Sequence, residues 1–164
     1  MNADAFRQLY DYHFSENRKL WDSYVTSLSP ADFTLPVAYS LGSVRDHIVH
    51  LTEVDHSWFS ELKGLTELAI PSLRESNNLT EIRQQWDAVE QMMRDYLANL
   101  RDEMLFTKPI VLEEDKDLIV WQVLLHVVNH GTDHRAQLLR LLHDLGAKTN
   151  SQDYVLYLYA HPAP

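Results

Sequence analysis

The sequence predicts an all-α fold, a four-helix bundle with long connections. Three observations carry this. Apolar residues recur at steps of three and four through four long segments. The 164 residues include only 4 glycines and 6 prolines, so turn-forming residues are scarce. No repeat, low-complexity tract or linker divides the chain, and its length suits a single domain over residues 1–164.

The first helix is expected from about Asp4 to Leu28, with Phe6, Tyr10, Phe14, Trp21, Tyr24 and Leu28 along one side. Pro30 stops it. Ser43 is a fitting N-cap for the second helix, which carries Val44, Ile48, Leu51, Trp58, Phe59 and Leu62. Lys63 to Asn78, with Gly64, Pro71 and two adjacent asparagines, reads as a long connection. In the third helix Leu79, Ile82, Trp86, Val89, Met93, Tyr96 and Leu100 form a bundle seam. "FTKPIVLEEDKDLIV" places two short β-branched runs around an acidic turn, which suits a short hairpin or a loop before the last helix. The fourth helix runs from near Val120 to Gly146, a good residue for the position past a helix end.

Composition narrows the function. A net charge of -10, from 24 acidic and 14 basic residues, offers no basic field for a nucleic-acid backbone or an anionic membrane surface. With no cysteine, the chain has no disulfide, thiolate metal site or thiol nucleophile of its own. "MNADAFRQLYDYHF" lacks the apolar stretch of a signal peptide, and no segment has the length of an apolar membrane span. A cytoplasmic protein is expected.

The chemistry concentrates in "HVVNHGTDHRAQ", which sets His126, His130 and His134 at four-residue intervals. On a helix the three imidazoles fall within about 80° of arc, and they share that side with Val123, Val127, Leu138 and Leu141. A wheel centred on His130 puts Gln137 in the same sector and turns Arg135 away from it. Histidines at i and i+4 can grip one metal ion. A shared ion also satisfies one nitrogen on each ring, where a bundle interior offers few other partners. Bundle metal sites draw on facing helices, so a further ligand is expected from "DHIVHLTEVDH". There the wheel favours His47, about 60° from the apolar stripe, over His50 and His56, each about 120° away. The alternative is a set of histidines that only make hydrogen bonds in a core. Trp21, Trp58, Trp86 and Trp121 read as core or interface aromatics. Asn17 and Asn129 are polar interruptions near the expected site. Gly131, beside His130, costs its helix about 1 kcal/mol against alanine, which suggests a close approach there by a neighbouring helix or a ligand. His13, His143 and His161 receive no role.

These residues resemble the DinB/YfiT-like family of four-helix-bundle metalloenzymes. "YHFSENRKL" (12–20) and "SVRDHIVHLTEVDHSW" (43–58) are similar to its first two helices, with Asp55 where glutamate is usual. "HVVNHGTDHRAQLLRLLHDLG" (126–146) is similar to its last helix, with Ala136 where glycine is common, and "DYVLYL" (153–158) to its ending. The resemblance implies metal ligation by His50, His130 and His134, preferring His50 where the wheel prefers His47, and leaves His126 as a pocket residue. It also implies a divalent transition metal (zinc, nickel, iron, cobalt or manganese), a small-molecule substrate and a homodimer. Relatives use a low-molecular-weight thiol such as mycothiol or bacillithiol, which implies an S-transferase in which the metal activates the thiol against an electrophile. A non-enzymatic metal-binding stress-response or interaction protein is the other class. A water-activating hydrolase is a further reading, with no obvious carboxylate base and Asp55 and Asp133 as candidates.

Overall fold

In the computed structural model, which describes residues 2–66 and 70–162, four long helices form a bundle. Helix α1 spans Ala3–Ser23, and the Asn2 side chain caps it by accepting from the Ala5 N–H at 2.9 Å. It is shorter than the periodicity suggests, because the chain tightens into a 3-10 turn at Val25–Ser27. Pro30 does not end α1. It opens a short helix α2, Pro30–Phe33, capped by Ser29, since proline's fixed φ and missing N–H suit a first helical turn.

Helix α3 spans Val44–Leu62, with Ser43 Oγ accepting from the Asp46 N–H at 3.1 Å as expected of a cap. The Lys63–Asn78 connection contains a short helix α4, Pro71–Glu75, while its residues 67–69 lie outside the described residues. Arg45 ties this connection down by donating to the carbonyls of Ser76 at 3.0 Å and Leu73 at 3.3 Å. Helix α5, Leu79–Ala98, is capped by Asn78 through the N–H groups of Thr80 and Glu81.

No strand occurs among the described residues, so the hairpin is not formed. The segment instead follows a 3-10 turn at Asp102–Phe106 and a turn in which Asp115 donates to Leu112 and Leu118 to Asp115. Pro109 removes one ladder donor. Ile110, Leu112 and Leu118 pack onto the end of the bundle rather than pair with one another. Helix α6, Val120–Asp144, then runs to Gly146, whose φ of +93 closes the helix in the left-handed region. A last short helix α7, Tyr154–Ala160, lies against Tyr12 of α1, which packs on Tyr154 and Tyr157 and donates to the Gln152 carbonyl at 2.6 Å.

The core falls into two apolar clusters. One gathers Phe6 and Tyr10 of α1, Phe59 of α3, Met93 and Leu97 of α5, and Val123 and Val127 of α6. The other gathers Leu20 and Trp21, Val44 and Ile48, Ile82 and Trp86, and Leu138 and Leu142 from the same four helices. The membership fixes the directions. α1 and α6 run from the first cluster to the second, whereas α3 and α5 run the other way. Successive parallel helices α3 and α5 need a return connection along the bundle, which accounts for the long Lys63–Asn78 segment.

Between the clusters, from the middles of the four helices, come the buried polar residues His13, Asn17, Thr52, Asp55, Glu90 and Arg135, with His47 further along α3 at the level of the second cluster. This polar waist is where the histidines sit.

Candidate metal centre

His50 comes from the middle of α3 and His130 and His134 from the middle of α6. Each offers a ring nitrogen, and the chosen nitrogens all lie within 4.8 Å of one another. His50 Nε2 stands 3.1 Å from His130 Nε2. The ring centroids are 4.6 Å apart for His50 and His134, and 4.3 Å for His130 and His134. Of the two α3 candidates, the structure brings His50 into this group and leaves His47 beside it, with its ring centroid 6.4 Å from that of His134.

The wheel misjudged where this group lies. On α6 the buried residues Val127, Gly131, Leu138 and Arg135 define an arc whose middle is about 90° from His130. His130 and His134 therefore flank the buried face instead of occupying its centre, and both are half-buried. His50 is likewise half-buried on the edge of α3. A group at the edge of a helix pair is reachable from solvent, whereas one at the bundle axis would be sealed.

The electrostatics keep all three rings neutral. Burial, followed by the neighbouring His134 and His50, pushes the His130 imidazole from 6.5 down to about 4. Burial and the nearby His134 also lower His50, and burial lowers His134 against the pull of Asp133. A neutral imidazole is the form that donates a lone pair to a metal. The Nδ1 atoms of His130 and His134 are buried without a hydrogen-bond partner, so hydrogen bonding within the protein satisfies neither ring in full. Three neutral nitrogens with open positions fit a divalent transition-metal ion, and among the described residues this is the one such group.

His126 is exposed, its ring 5.8 Å from His130 and 5.3 Å from Trp58, so it borders the group on the outer side. Gln137 borders the opposite end, accepting from the Ser40 hydroxyl and donating to Asp133 at 3.0 Å. Asn129 is exposed, and Asn17 belongs to the buried waist. Trp21 and Trp86 pack edge to face in the second cluster, 5.6 Å apart, and Trp58 and Trp121 pack against the first.

Arg135 is turned away from the three-histidine group and into the bundle interior. It is 1% exposed and donates to Asn17 Oδ1 at 2.9 Å, Gln152 Oε1 at 2.9 Å, Thr132 Oγ1 at 3.2 Å and His13 Nδ1 at 3.1 Å. His13, given no role by the sequence, is fully buried, with Nε2 3.5 Å from Asp55 Oδ2. A guanidinium only donates, so His13 Nδ1 accepts, and its Nε2 faces both the Asp55 carboxylate and the Asn17 amide nitrogen, the latter at 3.3 Å. The result is a buried chain from Arg135 through His13 to Asp55 directly behind the histidine group. The one signal for it in the sequence was Gly131, which leaves room for the His13 ring. No described helix is long and apolar enough to cross a membrane.

Comparison with known proteins identifies the family. The model of the DinB family matches residues 1–163. Protein DinB of Bacillus subtilis (strain 168) is 26% identical over 167 residues, an alignment covering 97% of this chain and 96% of that protein. With a family model matched over nearly its whole length, the chain belongs to the DinB family.

Proposed function

We propose that this protein binds one divalent transition-metal ion through His50, His130 and His134 and is a metal-dependent S-transferase acting with a low-molecular-weight thiol. The observation that carries the reading is the convergence of three neutral imidazoles from two helices at a half-open edge of the bundle. An ion held there supplies Lewis acidity to a thiol or a water. The chain has no cysteine, so a sulfur nucleophile has to arrive with a cosubstrate. Trp58 and His126 on one side and Gln137 on the other border the approach to the group.

The test is multi-element mass spectrometry on untagged protein, followed by turnover assays with an electrophile and bacterial thiols. About one ion per chain is expected, lost in His50→Ala and His130→Ala and kept in His47→Ala. Absence of metal even after reloading with zinc, nickel or manganese overturns the reading. Metal without turnover for any thiol leaves a metal-binding protein that acts through partners or sequestration.

A further inference from the structure

His47 lies one turn before His50 on α3 and is fully buried. Its Nδ1 stands 2.8 Å from the Ser43 carbonyl oxygen. A carbonyl only accepts, so Nδ1 carries the proton of the neutral ring and Nε2, at the tip, keeps its lone pair. That Nε2 is buried and has no hydrogen-bond partner. The ring stands edge-on to His134, at an interplanar angle of 63°, yet His47 is outside the group of three whose nitrogens converge.

Packing alone does not account for such a residue. A phenyl ring fills a similar space without leaving a buried acceptor unpaired, and an unpaired acceptor costs more than the hydrogen bond it forgoes. The missing partner is a donor, and the neighbouring feature that takes ligands is the three-histidine group.

We propose that His47 Nε2 is the hydrogen-bond acceptor for a ligand held at the three-histidine group, and that it selects ligands carrying an N–H, O–H or S–H beside the atom held there. This rests on the metal-binding reading above. The acceptor is fixed in place by the Ser43 carbonyl, so the preference is built into α3 and does not depend on a mobile loop.

Two probes separate the hydrogen bond from metal affinity. Acetohydroxamic acid and N-methylacetohydroxamic acid both chelate through two oxygens, and only the first has an N–H. Their dissociation constants are measured on cobalt(II)-loaded protein from the visible absorption of the ion. Wild type is expected to favour acetohydroxamic acid by about tenfold, the worth of one hydrogen bond. His47→Phe abolishes the preference while leaving cobalt stoichiometry unchanged, and His47→Gln, which can restore an acceptor near the same place, keeps it. Steric exclusion of the N-methyl group would instead survive in His47→Phe. Equal affinities in wild type, a measurement that needs no variant, overturn the inference, as does a preference undiminished in His47→Phe. If wild type takes up no cobalt, the metal-binding reading fails and this one with it. If cobalt is bound and the two probes bind alike, only the role of His47 fails.

Discussion

Gly131 of α6 and His13 of α1 meet so closely that a Cβ at 131 would lie 2.5 Å from His13 Cε1 and 2.9 Å from His13 Nδ1. His13 has no freedom to withdraw, since Arg135 and Asp55 hold its two nitrogens and it is fully buried. The glycine is therefore the width of the contact between the two helices.

Gly131→Ala is expected to destabilise the fold by about 1–3 kcal/mol, because overpacking outweighs the gain in helix propensity. Adding His13→Ala should recover part of that loss, giving a coupling that urea unfolding of the two single variants and the double variant measures.

Acidification weakens the folded state without metal. The unfolded chain takes up protons at its histidines near pH 6.5, whereas His130 resists until about 4 and His50 and His134 are also lowered. Between those values the unfolded state binds more protons, so stability is present above pH 6.5 and is lost as pH falls towards 4. Melting temperature of metal-free protein at pH 7 and pH 5 checks the sign. Zinc added at pH 7 is expected to raise it by mass action, and to raise it less at pH 5.

Arg135→Ala is expected to cost about 3–5 kcal/mol, since it strands Asp55, His13 and Asn17 without their buried cation. It also releases Gln152, which accepts from Arg135 and donates to the Thr132 carbonyl at 3.1 Å. Gln152→Ala should leave the bundle nearly as stable but speed amide hydrogen exchange over 147–162. Chemical denaturation and hydrogen exchange distinguish the two variants.

The sequence made some of this legible and hid the rest for physical reasons. His130 and His134 were readable because a four-residue step survives any uncertainty in helix ends. The third partner was not readable from the wheel, since His47 is the more buried residue of α3 while the group forms at the edge, where His50 is. The buried chain from Arg135 to Asp55 escaped notice because charge is normally a mark of the outside, and nothing local pairs residues 13, 55 and 135. Of the hairpin and the loop that the segment before α6 allowed, the loop forms, because its β-branched residues are buried by capping the bundle end rather than by pairing.

The division of the apolar core has a consequence for how the protein tolerates change. Trp21 and Trp86 stand in one compartment and Phe6 and Leu97 in the other, with the histidines' level between them. Apart from Ile70, which packs against both, the compartments share no apolar neighbour among the described residues, so the effects of substitutions such as those at Trp86 and Leu97 are expected to add. Each compartment can then drift, lose a methyl or gain a ring, on its own account. The helix phases that aim His50 at His130 need only hold at the level where the two compartments meet.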